Sequence, residues 1–157
     1  MNILAIDSSL NSTGFAVLNE NEILHYGIIK SNKKLDTIDR MLNITRQLKD
    51  IVLDWKCEVI TIEKLALFRL NSTQTIQSLS GLYFHLLCEF RKSEYQVIEV
   101  YPSEWKSYCN IKGRHRVEQK DSSIKYVKAL IKDNTINDDI ADAVCIGLYG
   151  MEVLRNG

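Results

Sequence analysis

The rhythm of apolar and polar positions changes several times along the chain, and each change marks an element. Ile3-Leu4-Ala5-Ile6 is a continuous apolar run that stops at Asp7, and a small polar turn leads into a second run from Gly14 to Leu18. Residues 2–7 and 14–19 therefore read as the two strands of a hairpin. After the turn Asn19-Glu20-Asn21, residues 22–30 read as a third strand. From Asp36 to about Trp55 the period lengthens. Leu35, Ile38, Leu42, Leu48, Ile51, Val52 and Trp55 recur in steps of three and four, the pattern of an amphipathic helix. Cys57 to Glu63 is again nearly continuous, as in a parallel strand buried on both faces.

A loop carrying Phe68 and Arg69 follows, and then a second helix, Thr73 to Arg91. Ile76, Leu79, Tyr83 and Phe90 can face a sheet, while Leu82 and Leu86 form a second apolar side with no evident partner in the same chain. Tyr95 to Tyr101 reads as a fifth strand. Pro102, suited to a first helical turn, opens a short helix through Tyr108. A basic loop around Gly113 precedes two more helices, Val117 to Ile131 and Asp138 to Leu154. Three strands in a meander followed by βαβαβ crossovers predict one α/β domain over 1–157: a five-stranded mixed sheet flanked by helices.

Cys57, Cys88, Cys109 and Cys145 are widely scattered, which argues against a zinc knuckle or a redox pair and for free thiols in the core. His25, His85 and His115 are equally isolated. No apolar run is long enough to span a bilayer and no secretory leader is evident, so a cytoplasmic protein without membrane association is expected. The net charge is zero, which by itself speaks against nucleic acid. Its distribution reverses that inference. Between 106 and 132 lie Lys106, Lys112, Arg114, Arg116, Lys120, Lys125, Lys128 and Lys132 against only Glu118 and Asp121, and an acidic group, Asp133, Asp138, Asp139 and Asp142, follows at once. A basic block beside an acidic one polarises the surface.

The acids carry the chemistry. A lone carboxylate among apolar residues is costly to bury unless something pairs with it or coordinates it. Asp7 and Glu63 each end an apolar strand, and if those strands are parallel neighbours both emerge at the carboxyl edge of the sheet, where α/β proteins bind ligands. Asp139 and Asp142 share one face of the last helix, near its positive end; Asp138 competes with Asp139 for the third place. Converging carboxylates repel unless divalent cations neutralise them, and oxygen-only ligands suit Mg²⁺ or, in its stead, Mn²⁺. Two such ions can clamp a phosphoryl displacement.

These residues resemble the RuvC family of Holliday-junction resolvases, most of all its compact phage-borne members such as those of lactococcal phages. Ala5-Ile6-Asp7 with Gly14-Phe15-Ala16-Val17 is similar to that family's opening, Glu63-Lys64-Leu65 to its second acid, and Asp139 and Asp142 with Ala143-Val144 to its third and fourth. Pro102, Ser103, Trp105 and Lys106 with the basic loop to Lys120 resemble the segment that meets the DNA backbone. The resemblance implies an RNase H-like fold, a homodimer, Mg²⁺ dependence without any organic cofactor, and cleavage of branched DNA. Asp7, Glu63, Asp139 and Asp142 become metal ligands by that resemblance, and Lys106 a backbone or transition-state cation. The second basic residue is Arg116 or Lys120. Phosphate contacts are expected from Arg69, Lys106, Lys112, Arg114, Arg116 and Lys120. Ser8-Ser9 stands where cellular members have Pro-Gly, and Ala66 where they place an aromatic that helps to open the junction, with Phe68 a candidate substitute. Three-way and flapped DNA are therefore expected substrates beside four-way junctions. Two alternatives are a non-catalytic branch-DNA-binding protein and a YqgF-type RNA-processing nuclease. The C2 dimer implied by two symmetric cuts is expected to use the helix from Thr73, through Leu82 and Leu86, with Gly81 permitting close approach.

Overall fold

A computed structural model describes residues 1–65 and 72–157. Five strands, β1 (Asn2–Asp7), β2 (Ser12–Leu18), β3 (Ile23–Lys30), β4 (Cys57–Glu63) and β5 (Gln96–Val100), form one sheet in the order β3-β2-β1-β4-β5. The first three pair antiparallel, whereas β1–β4 and β4–β5 are parallel. This is the expected mixed α/β sheet. The helices are α1 (Thr37–Asp54), α2 (Thr73–Lys92), α3 (Pro102–Tyr108), α4 (Arg116–Ile131) and α5 (Asp138–Asn156). None among the described residues is long and apolar enough to cross a membrane.

Alternation along the strands divides the core in two. Leu4, Ile6, Val17, Ile60 and Ile62 pack on one face with α1 and α2. Ile3, Ala5, Ala16, Leu18 and Val59 pack on the other with α5, Trp105 of α3 and Val127 of α4. α5 lies close on the sheet because Gly147 presents no side chain to Leu18 and Ala5. Side-chain acceptors start three helices: Asp36 takes the Asp39 amide at 2.8 Å, Ser72 that of Thr75 at 3.1 Å, and Asn137 that of Ile140 at 3.0 Å.

Several expectations need correction. The buried stripe of α1 runs through Met41, Ile44, Thr45, Leu48 and Val52, while Ile38 and Leu42 stand exposed on the adjacent stripe. Leu82 and Leu86 of α2 are fully buried within the same chain, packed in the α1 side of the core, so they cannot form a dimer face. Gly81 likewise makes its close approach to Met41 of α1. The outward aromatic of α2 is instead Phe84. Cys88 is exposed rather than a core thiol, although all four cysteines are free. β2 begins at Ser12, two residues before the expected start, and β5 is shorter at both ends.

Candidate functional site

The parallel pairing of β1 with β4, with Ile6 opposite Ile62, delivers Asp7 and Glu63 to the same end of the sheet as the terminal residues of two adjacent strands. Across the hairpin Asp7 pairs with Gly14. The bare Cα of Gly14 lets the first turn of α5 settle on the strand, with the Asp139 carbonyl where a β-carbon would stand. Ser12, two residues earlier, donates its hydroxyl to Asp139 Oδ2 at 2.5 Å. Two strand ends and one helix N-terminus thus bring Asp7, Glu63, Asp139 and Asp142 to one edge.

Their electrostatics reflect that crowding. Burial, followed by the charges of Glu63, Asp142, Asp139 and Asp138, holds the Asp7 carboxyl well above the usual carboxylate range. Burial pushes Glu63 up to about 7, against the opposing pull of the Trp105 N–H, Lys106 and Arg116. Asp142 is raised by burial too, with the Ser123 hydroxyl, Lys106 and Lys120 favouring its ionised form. Among the described residues no three of these acids close into a ready-made metal cage. They are neighbours that feel one another's charge, with an all-oxygen donor set that fits hard divalent cations.

The cations fall into two groups. The Lys106 ammonium lies 5.1 Å from the Trp105 ring centroid and 3.3 Å from Gln119 Oε1, within electrostatic reach of Glu63 and Asp142. Lys120 forms an ion pair with Asp138, and that pairing depresses the Asp138 carboxyl. Arg116, the first residue of α4, bears on Glu63 and Asp138. Lys112 and Arg114 lie exposed in a loop whose backbone is tied down. The Lys112 amide donates to Ser122 Oγ at 2.9 Å, the Arg114 amide to Glu118 at 2.7 Å, and Gln119 Nε2 to the Gly113 carbonyl at 3.1 Å. Gly113 holds φ at +131°, a conformation suited to glycine. Arg69, Ala66 and Phe68 lie outside the described residues.

Three contacts at the site are not apparent from the acidic motifs. The Trp105 indole, almost wholly buried, donates to Glu63 Oε2 at 2.5 Å. Ser12 holds Asp139, and Ser123 lies against Asp142. The available signal for the first was chemical: a buried tryptophan needs an acceptor for its N–H.

The family model described as "Lactococcus phage M3 protein" matches residues 1–152. A crossover junction endodeoxyribonuclease RuvC of Petrotoga mobilis is 30% identical over 148 residues, 92% of this chain and 89% of that protein. The protein of the same name from Prochlorococcus marinus (strain MIT 9313) is 28% identical over 155 residues, covering 96% and 97%. Among solved structures, T. thermophilus RuvC in complex with Holliday junction substrate superposes with a TM-score of 0.82 at 16% identity, over 100% of this chain and 97% of that one. The yeast mitochondrial Holliday junction resolvase Ydc2 gives 0.63 at 20% identity, over 98% and 81%. The two structural matches establish a common fold, the RNase H-like sheet of the RuvC type.

Proposed function

The chain belongs to the RuvC family of crossover junction endodeoxyribonucleases, in the group described by the Lactococcus phage M3 protein, and from that premise we propose a Mg²⁺-dependent homodimer that cleaves four-way junctions and also three-way and flapped DNA. The observation that carries the reading is the parallel β1–β4 pairing, which sets Asp7 beside Glu63 beneath the α5 turn bearing Asp139 and Asp142. These four carboxylates are the proposed metal ligands. Asp139 is favoured over Asp138 as the third, since Asp138 is engaged by Lys120. Bound divalent ions would supply an activated water and charge neutralisation at the scissile phosphate.

The chain's own side chains do the rest. Lys106, facing Glu63 and Asp142, is placed to neutralise charge that develops on the phosphate. Arg116 is the favoured second cation, because Lys120 is committed to Asp138. Lys112 and Arg114, on their braced loop, contact backbone phosphates, as Arg69 is also expected to do. Trp105 fixes one oxygen of Glu63 and leaves the other for a metal. Such outer contacts are worth about 10–100-fold in metal affinity. Trp105→Phe, which keeps the apolar body and deletes the N–H, should raise the Mg²⁺ concentration for half-maximal cleavage about tenfold. Mn²⁺ titration calorimetry checks the same loss without turnover, and an unchanged isotherm would leave Trp105 a packing residue.

Two symmetric nicks call for two centres, which supports a C2 dimer. With Leu82 and Leu86 in the core, the contact falls to outward residues: Phe84 of α2, and Ile38 and Leu42 of α1. The decisive experiment offers four-way, three-way, flapped and linear DNA with Mg²⁺ and maps the cuts, with the same preparation run in sedimentation velocity. Paired cuts in opposing arms by a dimer, abolished by EDTA and absent from linear duplex, are expected. Junction binding without any cleavage in Mg²⁺ or Mn²⁺ would mean a non-catalytic binder. Preferential cutting of structured RNA would mean an RNA-processing nuclease.

A further inference from the structure

β4 and β5 leave the sheet side by side. Glu63 pairs with Val100, and one residue later the Lys64 amide still donates to the Val100 carbonyl at 2.8 Å. Strand alternation continues through this last rung. Val100 packs with Trp105 on the α5 side, where Glu63 also reaches the indole, so Lys64 and Tyr101 turn to the opposite side of the same sheet end. There the Lys64 ammonium lies 4.4 Å from the centroid of the Tyr101 ring and 3.3 Å from its hydroxyl.

Tyr101 is 52% exposed, yet its backbone is firmly held. Its amide donates to Glu104 Oε2 at 2.7 Å, its carbonyl accepts the Glu104 amide at 3.0 Å, and Pro102 follows it as the first residue of α3. The ring belongs to neither core cluster. A large aromatic face is thus presented to solvent, on fixed backbone, with a cation at its edge, one residue beyond the rung that carries a proposed metal ligand.

We propose that Tyr101 and Lys64 form a nucleobase subsite, the ring stacking on an unpaired base at the branch point and the ammonium meeting that nucleotide's phosphate. The proposal rests on the reading of the protein as a branched-DNA nuclease. Inside a duplex both faces of every base are covered by its neighbours, whereas at a branch point a face is open to an aromatic ring. Base-on-aromatic stacking is tolerant of sequence, and a cation beside the ring suits a base and phosphate of the same nucleotide.

The test uses four-way junctions with 2-aminopurine placed in turn at each branch-point position, bound in EDTA so that no cleavage intervenes. Wild type and Tyr101→Phe should quench the probe at one position, and Tyr101→Ser should not. Tyr101→Ser should also bind the junction about tenfold more weakly while keeping its affinity for linear duplex. Lys64→Gln should weaken junction binding and flatten its salt dependence by about one contact. Because the ring is exposed, the melting temperature of Tyr101→Ser should match that of wild type, which separates the result from misfolding. Equal quenching and equal junction affinity in wild type and Tyr101→Ser would overturn the subsite while junction cleavage by the wild type still stood. A wild type that neither binds nor cuts branched DNA would overturn both.

Discussion

Asp7→Asn is expected to lose cleavage by a hundred- to thousandfold or more while folding and junction binding persist. Asp7 ends β1 at the centre of the acid group, and its ionised form is opposed by burial and by four neighbouring carboxylates. An amide of the same shape removes a repulsive charge, so the metal-free fold should lose no thermal stability. It also removes a donor with charge, so the variant should lose the stabilisation that a bound ion confers. A ligand present at a hundred times its dissociation constant adds about 2.7 kcal/mol. Melting curves in EDTA and in Mg²⁺ therefore give a sharp contrast. Wild type should gain several degrees on adding Mg²⁺, and Asp7→Asn little or none. Wild-type turnover by Asp7→Asn would remove it from the proposed metal site.

The second large effect is expected from Gly14→Ala, a change of one methyl group outside the set of acids. The added carbon would occupy the place of the Asp139 backbone carbonyl, so the first turn of α5 must lift from β2. Overpacking of this kind costs about 1–3 kcal/mol. Backbone cannot yield as a flexible side-chain tip can. The same shift carries Asp139 and Asp142 away from Asp7 and Glu63, and a misplacement of about 1 Å is enough to cost about a hundredfold in rate. Calorimetry and a cleavage assay on one preparation check both halves. The loop around Gly113 is held by its own bonds to Glu118, Gln119 and Ser122, so phosphate-dependent junction binding should survive. Wild-type cleavage by Gly14→Ala would show that α5 and the site are not coupled through this contact.

What could be read in advance follows from the reach of the signals involved. Cys57–Glu63 and Pro102–Tyr108 have their expected limits because a buried parallel strand is a local apolar run and proline marks a first helical turn. Asp7 and Glu63 stand out as candidates because each ends such a run, and Asp139 and Asp142 because they share one helix face. The face that α1 buries was not, since Ile38 and Leu42 are as apolar as Met41 and Ile44, and only the position of the sheet and α2 decides which stripe is covered. Leu82 and Leu86 read as unpartnered for the same reason: they join a core shared by the sheet, α1 and α2, and no local pattern places one helix against another. The hydrogen bonds that organise the acids are the least legible part. Ser12 with Asp139, Trp105 with Glu63 and Lys120 with Asp138 join residues from separate elements, and nothing in either residue's neighbours announces the other.

The position of β1 bears on when activity can arise during synthesis. The first strand to leave the ribosome is the middle strand of the sheet, and its parallel neighbour β4 arrives only after β2, β3 and α1. α5, which covers β1 and carries two of the four acids, is made last of all. An early hairpin of β1 and β2 can form, but it holds a single acid of the four. If the four acids are the metal ligands proposed above, a nascent chain lacks the complete set until α5 docks on β1, so cleavage is expected only from that last step onward.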